Sequence, residues 1–209
     1  MSSTLVPAMK KIVDYSKINV IDVGAARASF LVELDQLVNL EKVFAIGIDP
    51  NDHGVSDHYD KFFQACVDNV DSATEMDFHP NMIDDQAGSL CSPIDKNKNK
   101  FGEVVKVKVL NLNDIIKEEI PSDEVIHFLK IDAEGKDLDI IKSLETSTLQ
   151  RIKYIAMECP MTKIRLKGES TKQESIKYMN SINFDLFFSY DTDNGSDISD
   201  VVFINQKEL

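Results

Sequence analysis

Val20-Ile21-Asp22-Val23-Gly24-Ala25-Ala26-Arg27-Ala28 is the stretch that decides the fold. A short apolar run ends in an acidic residue, one glycine and a set of small residues, and the hydrophobic period then changes. Before the glycine, Ile18 to Val23 is rich in β-branched residues, which favour a pleated strand. After it, Phe30, Leu31, Leu34, Leu37 and Val38 fall on one stripe of a helix spanning residues 28–39, with Ser29 near its start. The stretch therefore reads as a buried strand turning sharply into a helix. The turn is kept small so that a ligand can lie against its backbone.

Working outward, Val43-Phe44-Ala45-Ile46-Gly47-Ile48 is a continuous apolar run closed by Asp49-Pro50. That is the mark of a strand buried on both faces, so residues 18–48 have the make-up of a βαβ unit. Further strands are predicted at Phe62–Val67, Glu75–Phe78 and Val104–Leu110, the last alternating with lysine and so wet on one face. Val125–Ile131 runs into Asp132-Ala133-Glu134-Gly135 and a helix carrying Leu138, Ile140, Ile141 and Leu144. Ile152–Met157 closes at Glu158-Cys159-Pro160, and Phe184–Tyr190 and Val201–Asn205 form a last strand pair. Helices are predicted over 3–16, from Asn113 to near Pro121, and over 172–182. The order implies an α/β, Rossmann-like open sheet, mostly parallel with an antiparallel edge strand, and helices on both faces. The chain reads as one domain over 1–209 with a loop or hairpin insertion around 75–103, of which Ser89–Gly102 is the most loop-like piece.

The bulk properties narrow the partners. A net charge of −13 repels phosphate backbones and argues against nucleic acid. No apolar run approaches the ~18 residues of a membrane span, and Met1 to Lys11 lacks the apolar core of a signal peptide. Three widely spaced cysteines, Cys66, Cys91 and Cys159, read as free thiols in a reducing compartment, which makes the cytoplasm the expected location. Nothing in the chain specifies an oligomeric state.

In an open parallel sheet, ligands bind beyond the carboxyl ends of the strands. The residues there are Asp22 and Gly24, Asp49 and Pro50, Asp132 and Glu134, and Glu158, so four strands deliver carboxylates to one rim. Taken singly, such acids also cap following helices. The first turn has one glycine where a G-x-G-x-x-G fingerprint needs three, with Ala25 and Ala26 at small positions. This suits a ligand without a pyrophosphate, such as S-adenosylmethionine. Asp49 lies 25 residues after Gly24, near the ~20 expected of an acid that bonds ribose hydroxyls. On this reading Asp22, Gly24, Ala25, Ala26, Asp49, Pro50 and Asp132 hold the cofactor.

Ile21-Asp22-Val23-Gly24-Ala25, Gly47-Ile48-Asp49-Pro50, Leu129-Lys130-Ile131-Asp132-Ala133-Glu134-Gly135 and Ile155-Ala156-Met157-Glu158 together resemble the FkbM-type methyltransferases, a class I methyltransferase family. The K-I-D-x-E-G element is the most distinctive part, Val107–Asp114 resembles the segment the family places before it, and the similarity runs from about residue 18 to 205. The resemblance implies S-adenosylmethionine as cofactor and a hydroxyl of a sugar, glycan or small metabolite as acceptor. The chain departs from the family at Ala26 and Ala28, where Asn and Gly are common, and at Lys136-Asp137, where a small residue and Glu are usual.

Lys130 and Asp132 project to the same side of their strand. A lysine near the end of an apolar strand is expected to be desolvated, with a lowered pKa. Lys130, Asp132 and Glu134 are accordingly the catalytic candidates, against a purely structural lysine–carboxylate pair. No metal is expected; if magnesium is used, Asp132 and Glu158 are its candidate ligands. His53, His58 and His79 sit in predicted loops, as substrate rim, general base or plain surface residues. Lys163, Arg165 and Lys167 read as a surface charge cluster or as a basic run for an acidic acceptor group, and residues 79–100 as a candidate acceptor wall. Asp191–Asp197 resembles a calcium loop only superficially and reads as a hairpin turn. Two other functions stand beside the methyltransferase: a nucleotide-dependent oxidoreductase, and a non-catalytic cofactor-binding interaction domain.

Overall fold

The computed structural model of the chain describes residues 2–83, 87–94, 101–192 and 197–209. Part of the candidate acceptor wall (84–86 and 95–100) and the tip of the Asp191–Asp197 turn lie outside the described residues.

A seven-stranded sheet carries the fold. Its strands are β1 (Ile18–Val23), β2 (Val43–Asp49), β3 (Lys61–Gln64), β7 (Ile126–Ile131), β8 (Ile152–Pro160), β9 (Phe184–Asp191) and β10 (Ile198–Asn205), in the order β3-β2-β1-β7-β8-β10-β9. The first five are parallel, and β10 runs antiparallel to both β8 and β9. This is the open sheet with an antiparallel edge that the alternation of strand and helix patterns implies. A smaller sheet, β4-β6-β5, is built from β4 (Cys66–Val67), β5 (Thr74–Phe78) and β6 (Val105–Leu110).

The helices are α1 (Ser2–Met9), α2 (Ser29–Asp35), α3 (Leu112–Glu119), α4 (Asp137–Ser143), α5 (Thr146–Leu149) and α6 (Lys172–Ser181). Side chains alternate along a strand, so each central strand feeds two cores. Ile21, Val23, Ile46, Ile48, Leu129 and Ile131 pack with α3, α4 and Met179 of α6 on one face. Val20, Ala45, Phe128, Tyr154 and Val202 pack with Leu5, Met9, Phe30 and Leu34 on the other. Phe128 is fully buried against Phe30 and Tyr154, a position where truncation to Ala costs about 3–5 kcal/mol. Asp22 and Lys130 have the parity of Val20 and Phe128, so two charged side chains enter this second, apolar layer.

Several elements differ from their sequence patterns: the helix predicted over 3–16 ends at Met9, the one predicted to residue 39 ends at Asp35, and the last strand starts at Ile198 rather than Val201. The apolar run at 62–67 is two strands, because the Ala65 amide donates to the Asp49 carbonyl at 3.0 Å and turns the chain out of the main sheet. β4 then pairs with β6. The helix predicted from residue 28 begins at Ser29, since Ala28 takes a left-handed conformation (φ 55°). β8 continues past Met157 to Pro160 because β10 pairs with it along that length, Ser199 opposite Cys159 and Ile198 opposite Pro160. No helix among the described residues is long and apolar enough to cross a membrane.

Candidate active site

The β1–α2 turn is pinned between its two neighbouring strands. The amides of Gly24 and Ala25 donate to the Ile48 carbonyl at the end of β2, at 2.9 and 3.2 Å. On the other side, the Asp132 amide donates to the Val23 carbonyl at 3.0 Å. Gly24 has φ +73°, and a Cβ placed on it would sit 2.0 Å from the Asp132 carbonyl oxygen. Only glycine allows this approach. Beyond it, Ala26 (φ 39°) and Ala28 (φ 55°) also take positive φ.

Asp49 closes the turn from β2. One carboxylate oxygen accepts the Ala26 amide at 2.9 Å and the other the Asn51 amide at 2.8 Å. Burial raises its pKa and the two amides pull the other way. Each oxygen keeps a lone pair beyond these bonds.

Lys130 lies deeper, 4% exposed. Its ammonium stands 2.9 Å from Asp22 Oδ1 and 3.7 Å from Asp132 Oδ2, and donates to the Gly24 carbonyl at 2.6 Å. The approach to Asp22 is an ion pair rather than a well-directed hydrogen bond. Burial works against the ammonium, but Asp22 and Asp132 outweigh it and the pKa is raised. This reverses the expected lowering: desolvation is present, but the carboxylates around the amine decide the sign. Asp22 is fully buried and accepts the Tyr59 hydroxyl at 2.7 Å. Burial raises its pKa too, with Lys130 and Tyr59 restraining the shift.

A cavity opens at this rim. Gly24, Asp49, Pro50 and Asp132 line it together, so the ends of three strands and the turn share one space. Ala65, Val67, Phe78 and Leu90, with Cys66, give the lining an apolar part. Among the described lining residues the one cation, Lys136, is paired with Asp68 at 2.9 Å. Asp22, Ala25, Ala26 and Lys130 are not among its lining residues.

Asp132 also belongs to a carboxylate cluster. Oxygens of Asp132, Glu134 and Glu158 lie within 4.8 Å of one another, so the two acids weighed as magnesium ligands meet a third. Arg165 joins them, 3.3 Å from Glu158 and 3.9 Å from Glu134, and anchors on the buried Glu169 at 2.6 Å. The basic run thus turns inward at Arg165, while the amides of Lys163 and Lys167 donate to Asp197 Oδ2 and to the Ser92 carbonyl. Burial and the Asp132 charge push the Glu158 carboxyl up to about 7, against Arg165. Burial, Asp132 and Glu158 likewise raise Glu134 well above the carboxylate range. Asp137, at the start of α4, is raised by burial first and then by Asp132 and Glu158.

Of the histidines, His53 lines a neighbouring cavity with Asn51 and Phe78. His79 Nε2 lies 3.3 Å from Ser92 Oγ, and His58 ends a short 3-10 turn. The pattern pointed to neither Tyr59 nor the apolar lining, although Gly47 inside a strand was a signal of close approach. A Cβ there would meet the Tyr59 ring at 2.7 Å.

Comparison with known proteins supplies the remaining findings. The model of the FkbM methyltransferase domain matches residues 22–186. Among solved structures, methyltransferase FkbM from Methylobacillus flagellatus KT superposes with a TM-score of 0.56 at 12% identity, covering 93% of this chain and 45% of that one. The chain thus spans under half of that relative's length. A SAM-dependent methyltransferase from Aquifex aeolicus gives a TM-score of 0.45 at 13% identity, over 94% of this chain and 89% of that one. M. capricolum TrmK, solved with S-adenosyl-homocysteine, gives 0.47 at 13%, over 96% and 67%. No curated protein sequence matches the chain.

Proposed function

The chain belongs to the FkbM methyltransferase family, and from that premise we propose that it is an S-adenosylmethionine-dependent O-methyltransferase acting on a hydroxyl of a sugar, glycan or small metabolite. The observation that carries the cofactor is the charge of the cavity. Two carboxylates, Asp49 and Asp132, face a space whose lysine is already neutralised by Asp68. Such a wall favours a ligand with sulfonium and ammonium groups over one with an anionic pyrophosphate. The apolar part of the lining suits a purine, and Asp49 retains lone pairs for ribose hydroxyls. These are the residues that would hold the cofactor, which when bound supplies a methyl group activated by a positive sulfur.

The chain's own part is to seat the acceptor and manage its proton. Asp132, Glu134 and Glu158 present acceptors to a hydroxyl at the adjoining rim. The base is Glu158: a carboxyl near 7 is matched to neutral pH, where it can take a proton and release it again. Arg165 holds that carboxylate in place. Orienting the hydroxyl oxygen is the larger contribution, since positioning supplies about 7–11 kcal/mol in favourable cases.

A second reading, an amine acceptor, is favoured by the same carboxylate cluster. A methyl-transfer screen over glycans, hydroxylated metabolites and amines, with and without magnesium, separates the two. Titration with S-adenosylhomocysteine and with nicotinamide cofactors tests the donor. Binding of the nicotinamide and not of S-adenosylhomocysteine would refute the proposal.

A further inference from the structure

Asp22 is opposite Gly47 on one side and Lys130 on the other. The three positions form one row across β2, β1 and β7. Gly47 leaves room for the Tyr59 ring, which reaches in from the segment between β2 and β3. Its hydroxyl donates to Asp22 Oδ2 at 2.7 Å, and Lys130 meets Asp22 Oδ1 at 2.9 Å. The ammonium then spends its remaining donors on the Gly24 carbonyl at 2.6 Å and toward Asp132 at 3.7 Å. Gly24 and Asp132 line the cavity. A side chain that touches neither of them is therefore linked to both through two buried groups.

We infer that Tyr59 is a positioning residue for the methyl donor: through Asp22 and Lys130 it fixes the Gly24 turn and the Asp132 carboxylate at the cavity wall. The inference rests on the donor occupying that cavity. Asp22 Oδ2 is fully buried, so without the hydroxyl it draws on the one cation beside it. Lys130 then shifts toward Asp22 and away from the Gly24 carbonyl and Asp132. The ring itself remains useful as packing, which is why the hydroxyl alone can be tested.

The experiment is calorimetric titration of the full chain with S-adenosylhomocysteine, well below the melting temperature of every variant. Tyr59→Phe keeps the ring and removes the donor; affinity should fall about tenfold, the equivalent of one unsatisfied buried group. Gly47→Ala, which displaces the ring, should fall at least as far. Ile152→Val, at the opposite end of the sheet, serves as the control for general loosening and should bind within about twofold of wild type. Equal affinity for wild type and Tyr59→Phe overturns the inference while leaving the donor assignment intact. Equal weakening in Ile152→Val also overturns it, because the effect is then one of stability. A wild-type chain that takes up no S-adenosylhomocysteine removes the donor assignment itself, and the inference falls with it.

Discussion

Replacing Lys130 with Met tests whether the lysine holds the sheet's charge together or acts on a substrate proton. The side chain is 4% exposed and Asp22 is fully buried. Methionine fills the space but leaves Asp22 with the Tyr59 hydroxyl as its remaining donor. Breaking a buried pair from one side costs about 3–5 kcal/mol at neutral pH, because the other charge is stranded. The loss depends on pH in a defined direction. The Asp22 carboxyl is already raised above its ordinary 3.8 by burial, with Lys130 restraining the rise. Without the lysine it rises further. A carboxyl with a raised folded pKa keeps a proton that the unfolded chain has released, so stability falls as pH climbs from about 4 toward the folded value. The deficit of Lys130→Met relative to wild type should therefore be full at pH 7.5 and much smaller at pH 4.5. Urea denaturation at the two pH values measures it. The double variant Lys130→Met/Asp22→Asn, with no stranded charge, should recover most of the loss. A deficit below about 1 kcal/mol at pH 7.5, or an equal one at both pH values, would refute the reasoning.

Gly24→Ala should cost at least 3 kcal/mol, about 1–2 from the left-handed backbone and the rest from pushing apart the Gly24–Asp132 contact; urea denaturation reads it, and S-adenosylhomocysteine binding should vanish in calorimetry. Ala26→Gly should stabilise by about 0.5–1 kcal/mol, since a residue at φ 39° is relieved of strain that exceeds glycine's entropy cost. Asp49→Asn should weaken S-adenosylhomocysteine at least tenfold while the fold persists, because the amide can still accept one of the two backbone bonds; unchanged affinity in calorimetry counts against Asp49 as a ligand group. For the chemical step, kcat/KM should rise with pH through a midpoint near 7 as Glu158 loses its proton, and Glu158→Gln should abolish that rise.

The βαβ start, the mostly parallel sheet with its antiparallel edge and most of the rim of carboxylates were legible because each rests on local pattern: period, β-branching, and the residue that ends a strand. The single glycine of the first turn read as room for a ligand against its backbone; the group that presses on Gly24 is the protein's own Asp132 carbonyl. What pattern could not convey was which way balances between distant groups fall. Lys130 read as a depressed amine because burial was visible in its neighbours along the strand. The opposing carboxylates, Asp22 from another strand in particular, were set by register. Tyr59 gave no periodic signal, as it lies in an irregular segment and its role depends on the gap at Gly47. The apolar lining of the cavity is assembled from Ala65, Val67, Phe78 and Leu90, at the β3–β4 junction, in β4, in β5 and in the stretch after β5. Arg165 read as surface charge because its three carboxylate partners include Glu134, 31 positions away in sequence.

Asp132, the residue that follows β7, is tied in on two sides: its amide donates to the Val23 carbonyl and its carbonyl abuts Gly24, while its side chain joins the carboxylate cluster. On the proposed function, donor grip and acceptor chemistry meet at this one residue, and neither could be retuned there without disturbing the other. Diversification toward new acceptors is left to the segment following Glu158, where Arg165 and Glu169 are tethered to the rim but bear none of the turn's weight. An effort to redirect this scaffold to another acceptor should randomise that segment and leave the Lys130–Asp132 stretch untouched.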